Sequence, residues 1–144
     1  MKFVYELNRV GGKKRTLRYG NEMINSNDRM DPHTKGDLTA HLRALSKEIA
    51  QKTQKDSEHP VFSESCPCHI CICVCPPTKR RMDAPNWYPT VKALIDGLTD
   101  AGIFEDDNDK VITSHLFYRG PVTANKKYRI ELDVREGRNP VCPT

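Results

Sequence analysis

One helical stripe set between two strand-like stretches constrains this chain more than any other feature. Val91, Leu94, Ile95 and Leu98 recur at the three- and four-residue spacing that lines one face of an α-helix. Pro89 and Thr90 give that helix a start, and Gly102 gives it a stop. Before it, His69 to Cys75 alternates Ile70, Ile72 and Val74 with Cys71, Cys73 and Cys75, a strand pattern that Pro76-Pro77 ends. After it, Val111 to Arg119 reads as another strand.

Other stretches extend this unit. Phe3, Tyr5 and Leu7 share one side of a strand over residues 2–7. Tyr128, Ile130, Leu132 and Val134 alternate with Arg129, Glu131 and Asp133, a strand with one wet face. Gly11-Gly12 marks a turn, and Thr16 to Tyr19 is expected to return as a strand. Asn21 to Pro32 is polar and reads as loop. A first helix is expected from Thr34, with Thr34 and Asp37 at capping-box spacing and Leu38, Leu42, Leu45 and Ile49 on one face. Gln51 to Pro60 reads as a polar connection. The expected fold is α+β, a single domain over residues 1–144 with a small mixed sheet and two main helices. Residues 136–144 are expected to form a loose tail, and the length suffices to bury a core without staples.

Apolar runs fall far short of the roughly 20 residues that span a bilayer. Met1 to Gly12 lacks the apolar core of a signal peptide, so a cytoplasmic location is the default expectation. The net charge of +4 hints weakly at a polyanionic partner, and its distribution says more. Basic residues cluster at Lys13-Lys14-Arg15 with Arg18, at Lys79-Arg80-Arg81, and at Lys126-Lys127 with Arg129. Acids gather between Asp96 and Asp109. Such a chain could grip phosphates while holding a cation, although mixed charge on a solvated surface explains the same clusters.

Asp83 stands before the second helix, and Asp106 and Asp107 stand after it. Loops at the two ends of a helix lie apart unless one of them runs back over it. If the acids meet, their carboxylates suit a hard cation such as Mg²⁺, which takes oxygen ligands from one or two carboxylates, waters and phosphate. The ion would polarise a phosphoryl oxygen and lower the pKa of an attacking water. Lys92, four residues from Asp96 and on the same helix face, could neutralise charge building on the phosphate. The plain alternative is that Asp106 and Asp107 decorate a turn and Asp83 is a loop acid tied to Arg80 or Arg81.

The run Arg80-Arg81-Met82-Asp83-Ala84-Pro85-Asn86, the helix with Pro89-Thr90-Val91-Lys92-Ala93 and Asp96-Gly97-Leu98, then Gly102 and Asp106-Asp107 resembles the signature of the RusA-type Holliday junction resolvases of phages and prophages. Asn27-Asp28-Arg29, the helix with Leu42-Arg43, and the strand Arg129 to Val134 are similar to further parts of that family. The strong similarity covers Arg80 to Asp107, and weaker agreement reaches most of the chain. The resemblance implies a RusA-like domain that works as a homodimer and resolves four-way DNA junctions by paired symmetric nicks with Mg²⁺, with Mn²⁺ as a substitute. It implies Asp83, Asp106 and Asp107 as metal ligands, with Asp96 as a further ligand or supporting acid. Catalysis would rest on Asp83, Asp107 and Lys92, and DNA contacts on Lys79, Arg80, Arg81, Asn86 and Arg29. Two departures stand out. Pro85 occupies the place where many members carry a second Asp, and the gap from Asn86 to Lys92 is longer than in the shorter family form. They leave open a second reading, a protein that binds junction DNA without cutting it.

Cys66, Cys68, Cys71, Cys73 and Cys75 crowd around His69, which raises a third reading, a zinc module for partner binding. Residues i and i+2 of a strand stand about 6.5 Å apart, which argues against chelation and favours reduced, semi-apolar thiols, with Cys66 and Cys68 as the exceptions before the strand. His33, His41, His59 and His115 are scattered, and His33 could approach DNA. Trp87 and Tyr88 could stack on an unpaired base or plug the core.

Overall fold

The structure, a computed structural model, describes residues 1–54 and 60–138. Four strands form one mixed sheet: β1 (Lys2–Leu7), β2 (Cys68–Cys75), β3 (Ile112–Arg119) and β4 (Tyr128–Glu136), in the order β1-β4-β2-β3. β4 pairs antiparallel with both β1 and β2, and β2 pairs parallel with β3. A parallel pair needs a crossover, and helix α2 (Tyr88–Asp100) supplies it. Helix α1 (Pro32–Thr53) packs against α2. The α+β single domain read from the sequence is therefore present, with two main helices on the sheet.

Strand periodicity assigns the faces. Phe3, Tyr5 and Leu7 of β1, Ile70, Ile72 and Val74 of β2, and Ile130, Leu132 and Val134 of β4 are buried and join one core with Val91, Leu94, Ile95 and Leu98 of α2. Burying the four-residue stripe of α2 stabilises the fold by several kcal/mol, at ~1.5–3 kcal/mol for each large aliphatic side chain. β2 differs from the other strands because all eight of its residues are buried, the cysteine side included. Among the described residues no helix is long and apolar enough to cross a membrane.

Four local expectations need correction. Thr16 to Tyr19 is not a strand: Gly12–Lys14 and Leu17–Tyr19 form short 3-10 turns, and Gly20 at φ +86° closes the second. Leu17 and Tyr19 are both exposed, so no burial favours pairing there. The first helix starts at Pro32, not Thr34. Asp31 is its cap and accepts from the Thr34 amide at 2.9 Å, so the Thr34–Asp37 box is not the device used. That helix also continues to Thr53, into the expected connection, of which residues 55–59 lie outside the described residues. The tail begins later than residue 136, since Glu136 still pairs with Cys68 and the Gly137 amide donates to Pro67. Residues 139–144, Cys142 among them, lie outside the described residues.

The two helices cross closely at Gly97. A Cβ there would stand 2.3 Å from the Arg43 carbonyl oxygen and 2.7 Å from Ser46 Cβ. Ser46 is fully buried at this crossing, where its hydroxyl bonds Tyr5 and donates to the Leu94 carbonyl, each at 2.7 Å. Alanine normally favours a helix over glycine by about 1 kcal/mol. Here the methyl meets backbone that cannot swing away, so Gly97→Ala is expected to destabilise by about 2 kcal/mol in urea unfolding. A stabilised variant would mean that α1 yields.

Candidate functional site

The β2-α2-β3 unit carries every residue of the expected site except Arg29. After β2 the chain enters the basic loop Thr78–Met82. The Arg119 guanidinium, from the end of β3, donates to the carbonyls of Arg80 at 2.8 Å and Thr78 at 3.0 Å and so holds the loop. The result is a cleft of about 320 Å³ whose lining includes Arg9, Arg80, Arg81, Lys126 and Tyr128. Two of the three basic clusters seen in the sequence thus meet, and Arg9 joins them. Lys79 is exposed beside the cleft and does not line it, and Arg29 is exposed on the 21–30 loop.

Asp83 follows this lining directly and heads a 3-10 turn, Ala84–Trp87, that leads straight into α2. Its side chain is exposed and forms no cap bond. Asn86 is half-buried, and its carbonyl accepts from the Ser26 amide at 2.8 Å. Thr90 is fully buried and bonds both backbone groups of Ile24, each at 2.8 Å. The polar 21–30 loop therefore stitches down the head of α2. Trp87 is core, 4% exposed, with the Arg9 guanidinium 5.1 Å above its ring and Tyr128 packed against it. Tyr88 is exposed, edge-on to His115 and Phe117. Of the two aromatic candidates, only Tyr88 is available to a ligand.

The acidic loop, not the segment from Asp83 to Tyr88, folds back along α2. A bridge between Phe62 and Phe104 pins its start, with the Glu105 amide donating to the Phe62 carbonyl at 2.9 Å. Asp107 then reaches Lys92, whose ammonium also donates to Asp96 at 2.5 Å. The structure thus brings Lys92, Asp96 and Asp107 together, all partly exposed. Asp106 adjoins them but folds onto its own turn, accepting from the Asp107 amide at 2.7 Å and the Asn108 side chain at 3.2 Å. Asp83 is not part of this contact. Among the described residues, no three of these carboxylates come within 4.8 Å of one another.

The electrostatics follow from the geometry. The Lys92 hydrogen bond holds the Asp107 carboxyl below the usual carboxylate range, against the opposing effect of burial. Burial alone would lower the Lys92 ammonium, but the bonds to Asp107 and Asp96 outweigh it and hold the group above its ordinary value. Desolvation and the Lys92 charge keep His115 low, so its ring is neutral near neutral pH. Arg43 of α1 forms a two-pronged pair with Asp100 next to this cluster. Arg9, Arg43 and His115 were not picked out as site residues from the sequence, and their spacing holds no signal, because tertiary packing alone brings them here. His33 is exposed and pairs with Asp37 at 3.2 Å.

The arrangement offers two chemically distinct surfaces, one on the loop before α2 and one along the side of α2. The basic cleft can hold anionic oxygens, and the Asp96–Asp107 pair can hold a small cation where the Lys92 ammonium now sits. No family model matches the chain, and no curated protein matches it.

Proposed function

We propose that this chain is a Mg²⁺-dependent endonuclease that cuts branched DNA, of the RusA type. The observation that supports this reading best is the convergence of Asp96 and Asp107 on one cation, the Lys92 ammonium. The donor set is all oxygen, and Mg²⁺ needs only one or two carboxylates because it keeps waters and takes up substrate phosphate. Asp96 and Asp107 would hold the ion with Asp106 adjoining, and Mn²⁺ would serve in its place. The ion supplies a Lewis acid for the phosphoryl oxygen and makes water a better nucleophile. Lys92, released from its carboxylates, stabilises charge developing on the scissile phosphate. Arg80, Arg81 and Lys126 bind the DNA backbone, with Lys79, Asn86 and Arg29 as outer contacts, while Arg9, paired with Asp28, supports the cleft wall. Tyr88 stacks on an unpaired base.

Two matched nicks across a junction of approximate two-fold symmetry require two matched sites, so the acting species is a C₂ homodimer. The cytoplasm is where such a substrate would be met. A second reading, junction binding without cutting, is favoured by two observations. Pro85 replaces an acid, and Asp83 stands outside the converging pair.

The test is cleavage of a synthetic mobile four-way junction beside linear duplex of the same sequence, with Mg²⁺ and with chelator. Paired nicks confined to the junction and lost with chelator are expected. Asp83→Asn run alongside decides whether that exposed acid joins the site when DNA binds. Tight binding that weakens steeply with salt, and yields no product with any divalent ion, would move the assignment to the second reading.

A further inference from the structure

We propose that Cys73, Cys75 and Glu131 form a site for one thiophilic divalent cation of the zinc class, on the sheet face opposite the helices. The separation of about 6.5 Å between residues two apart on a strand is a backbone distance and does not fix how far apart the side-chain tips stand. The two sulfurs lean together and stand 3.7 Å apart. Zinc–sulfur bonds of about 2.3 Å at a tetrahedral angle place two sulfurs roughly 3.8 Å apart. Glu131 lies directly across from Cys73 in the β2–β4 register, and one ligand atom from each of the three residues falls within 4.8 Å of the others. Rotation of the carboxylate closes the remaining ångström or so to the separation a shared zinc ion sets.

Gly120, just past the end of β3, packs against the same two sulfurs. A Cβ on it would lie 2.5 Å from the sulfur of Cys73 and 2.5 Å from that of Cys75. Its backbone is outside the left-handed region, so conformation does not call for glycine. What glycine permits is close approach of the chain after β3 to both sulfurs, and its amide bond to the Val74 carbonyl at 2.9 Å holds it against them, so an added methyl would push the sulfurs out of place.

The neighbouring groups are consistent in charge. Two thiolates and a carboxylate exceed a divalent ion by one negative charge. The Arg129 guanidinium, 3.7 Å from the Cys75 sulfur, offsets that excess. Lys2 holds Glu131 at 3.0 Å and must share it. Tyr118 borders Cys73 from β3, and water completes the fourth position. Binding replaces the two thiol protons, which leave to solvent, so affinity rises with pH. Thiolates select zinc over magnesium, which keeps this site distinct from the acidic cluster on α2. A disulfide is the poorer outcome, because neighbours two apart on one strand are badly placed to form one.

The test uses the full chain, reduced and stripped of metal, titrated with Co²⁺ as the probe. One equivalent should give near-ultraviolet thiolate-to-cobalt charge transfer with intense visible bands, and Zn²⁺ should bleach both. Cys73→Ser and Cys75→Ser should remove the charge transfer, while Cys66→Ser and Cys142→Ser should keep it. Glu131→Gln and Gly120→Ala should each weaken binding at least tenfold. No charge-transfer band, or a band that survives Cys73→Ser, overturns the site. Should either serine variant fail to fold by circular dichroism, unchanged Co²⁺ affinity in Glu131→Gln overturns it instead.

Discussion

Asp107→Asn is expected to lower Mg²⁺-dependent junction cleavage by at least about 100-fold, a loss of the size seen when one strong electrostatic contact to a transition state is removed. The substitution keeps the shape of the side chain and removes its charge. It takes away half of the carboxylate pair that converges on Lys92. Stability should barely change, because Asp107 is a partly exposed loop residue and such ion pairs contribute ~0–1 kcal/mol. Junction binding should persist, since the basic cleft is untouched. The pH dependence has a definite sign. A carboxyl held low stays ionised until the pH falls through its depressed value, so Asp107 should not set an acid limb near pH 5 or 6. Full cutting by the variant would remove the acidic cluster from the mechanism. Loss of cutting together with a lowered Tm would show that the residue acts on the fold instead.

How much of this was legible in the sequence differs by element. β2, α2, β3 and β4 could be read because periods of 2 and 3.6 report one-sided burial, and the structure places these elements within a residue or two of the patterns. The start of α1 was also written in the sequence as Asp31-Pro32, a cap followed by a first-turn proline, but Thr34 three residues on offered a competing signal. Thr16 to Tyr19 misled because a short apolar-containing run after paired glycines looks like a hairpin return, whereas Leu17 and Tyr19 stay exposed and gain no burial that would favour pairing on the free edge of β1. The cysteine face of β2 alternates correctly, yet alternation cannot say whether that face is wet, and here both faces are buried.

The candidate site shows the same division. Lys92 and Asp96 could be placed together from the helix repeat alone. Asp107 could not, because its position depends on a loop whose path is set by the Phe62–Phe104 bridge. The basic cleft needed Arg9, Arg80 and Lys126 from three distant segments. In the sequence Asp28 belongs to a polar loop, and nothing in the spacing marks it as the partner of Arg9.

That pairing carries the second large effect. Asp28→Asn is expected to destabilise the fold by about 3 kcal/mol, the scale for removing one partner of a buried ion pair. The Asp28 side chain is 3% exposed and accepts from Arg9 at 2.6 and 2.8 Å and from the Asn25 amide at 2.9 Å, with Arg15 at 3.3 Å. The same Arg9 covers Trp87 and bonds the Met23 carbonyl at 3.2 Å, so losing Asp28 strands a cation against the core and loosens the loop that seats α2. For a chain of this size the Tm should fall by roughly 10 °C at pH 7. Burial pushes the Asp28 carboxyl up, but the Arg9 and Asn25 hydrogen bonds and the two guanidinium charges outweigh it, leaving the group below its ordinary value. Its stabilisation is therefore complete above the unfolded value near pH 3.9 and is lost as pH falls through the lower folded value. The wild-type Tm should drop across that acid window, and the variant, starting lower, should drop less. An unchanged acid slope in Asp28→Asn would assign that loss to other carboxylates, and an unchanged Tm at pH 7 would mean that Arg9 finds another partner when Asp28 is gone.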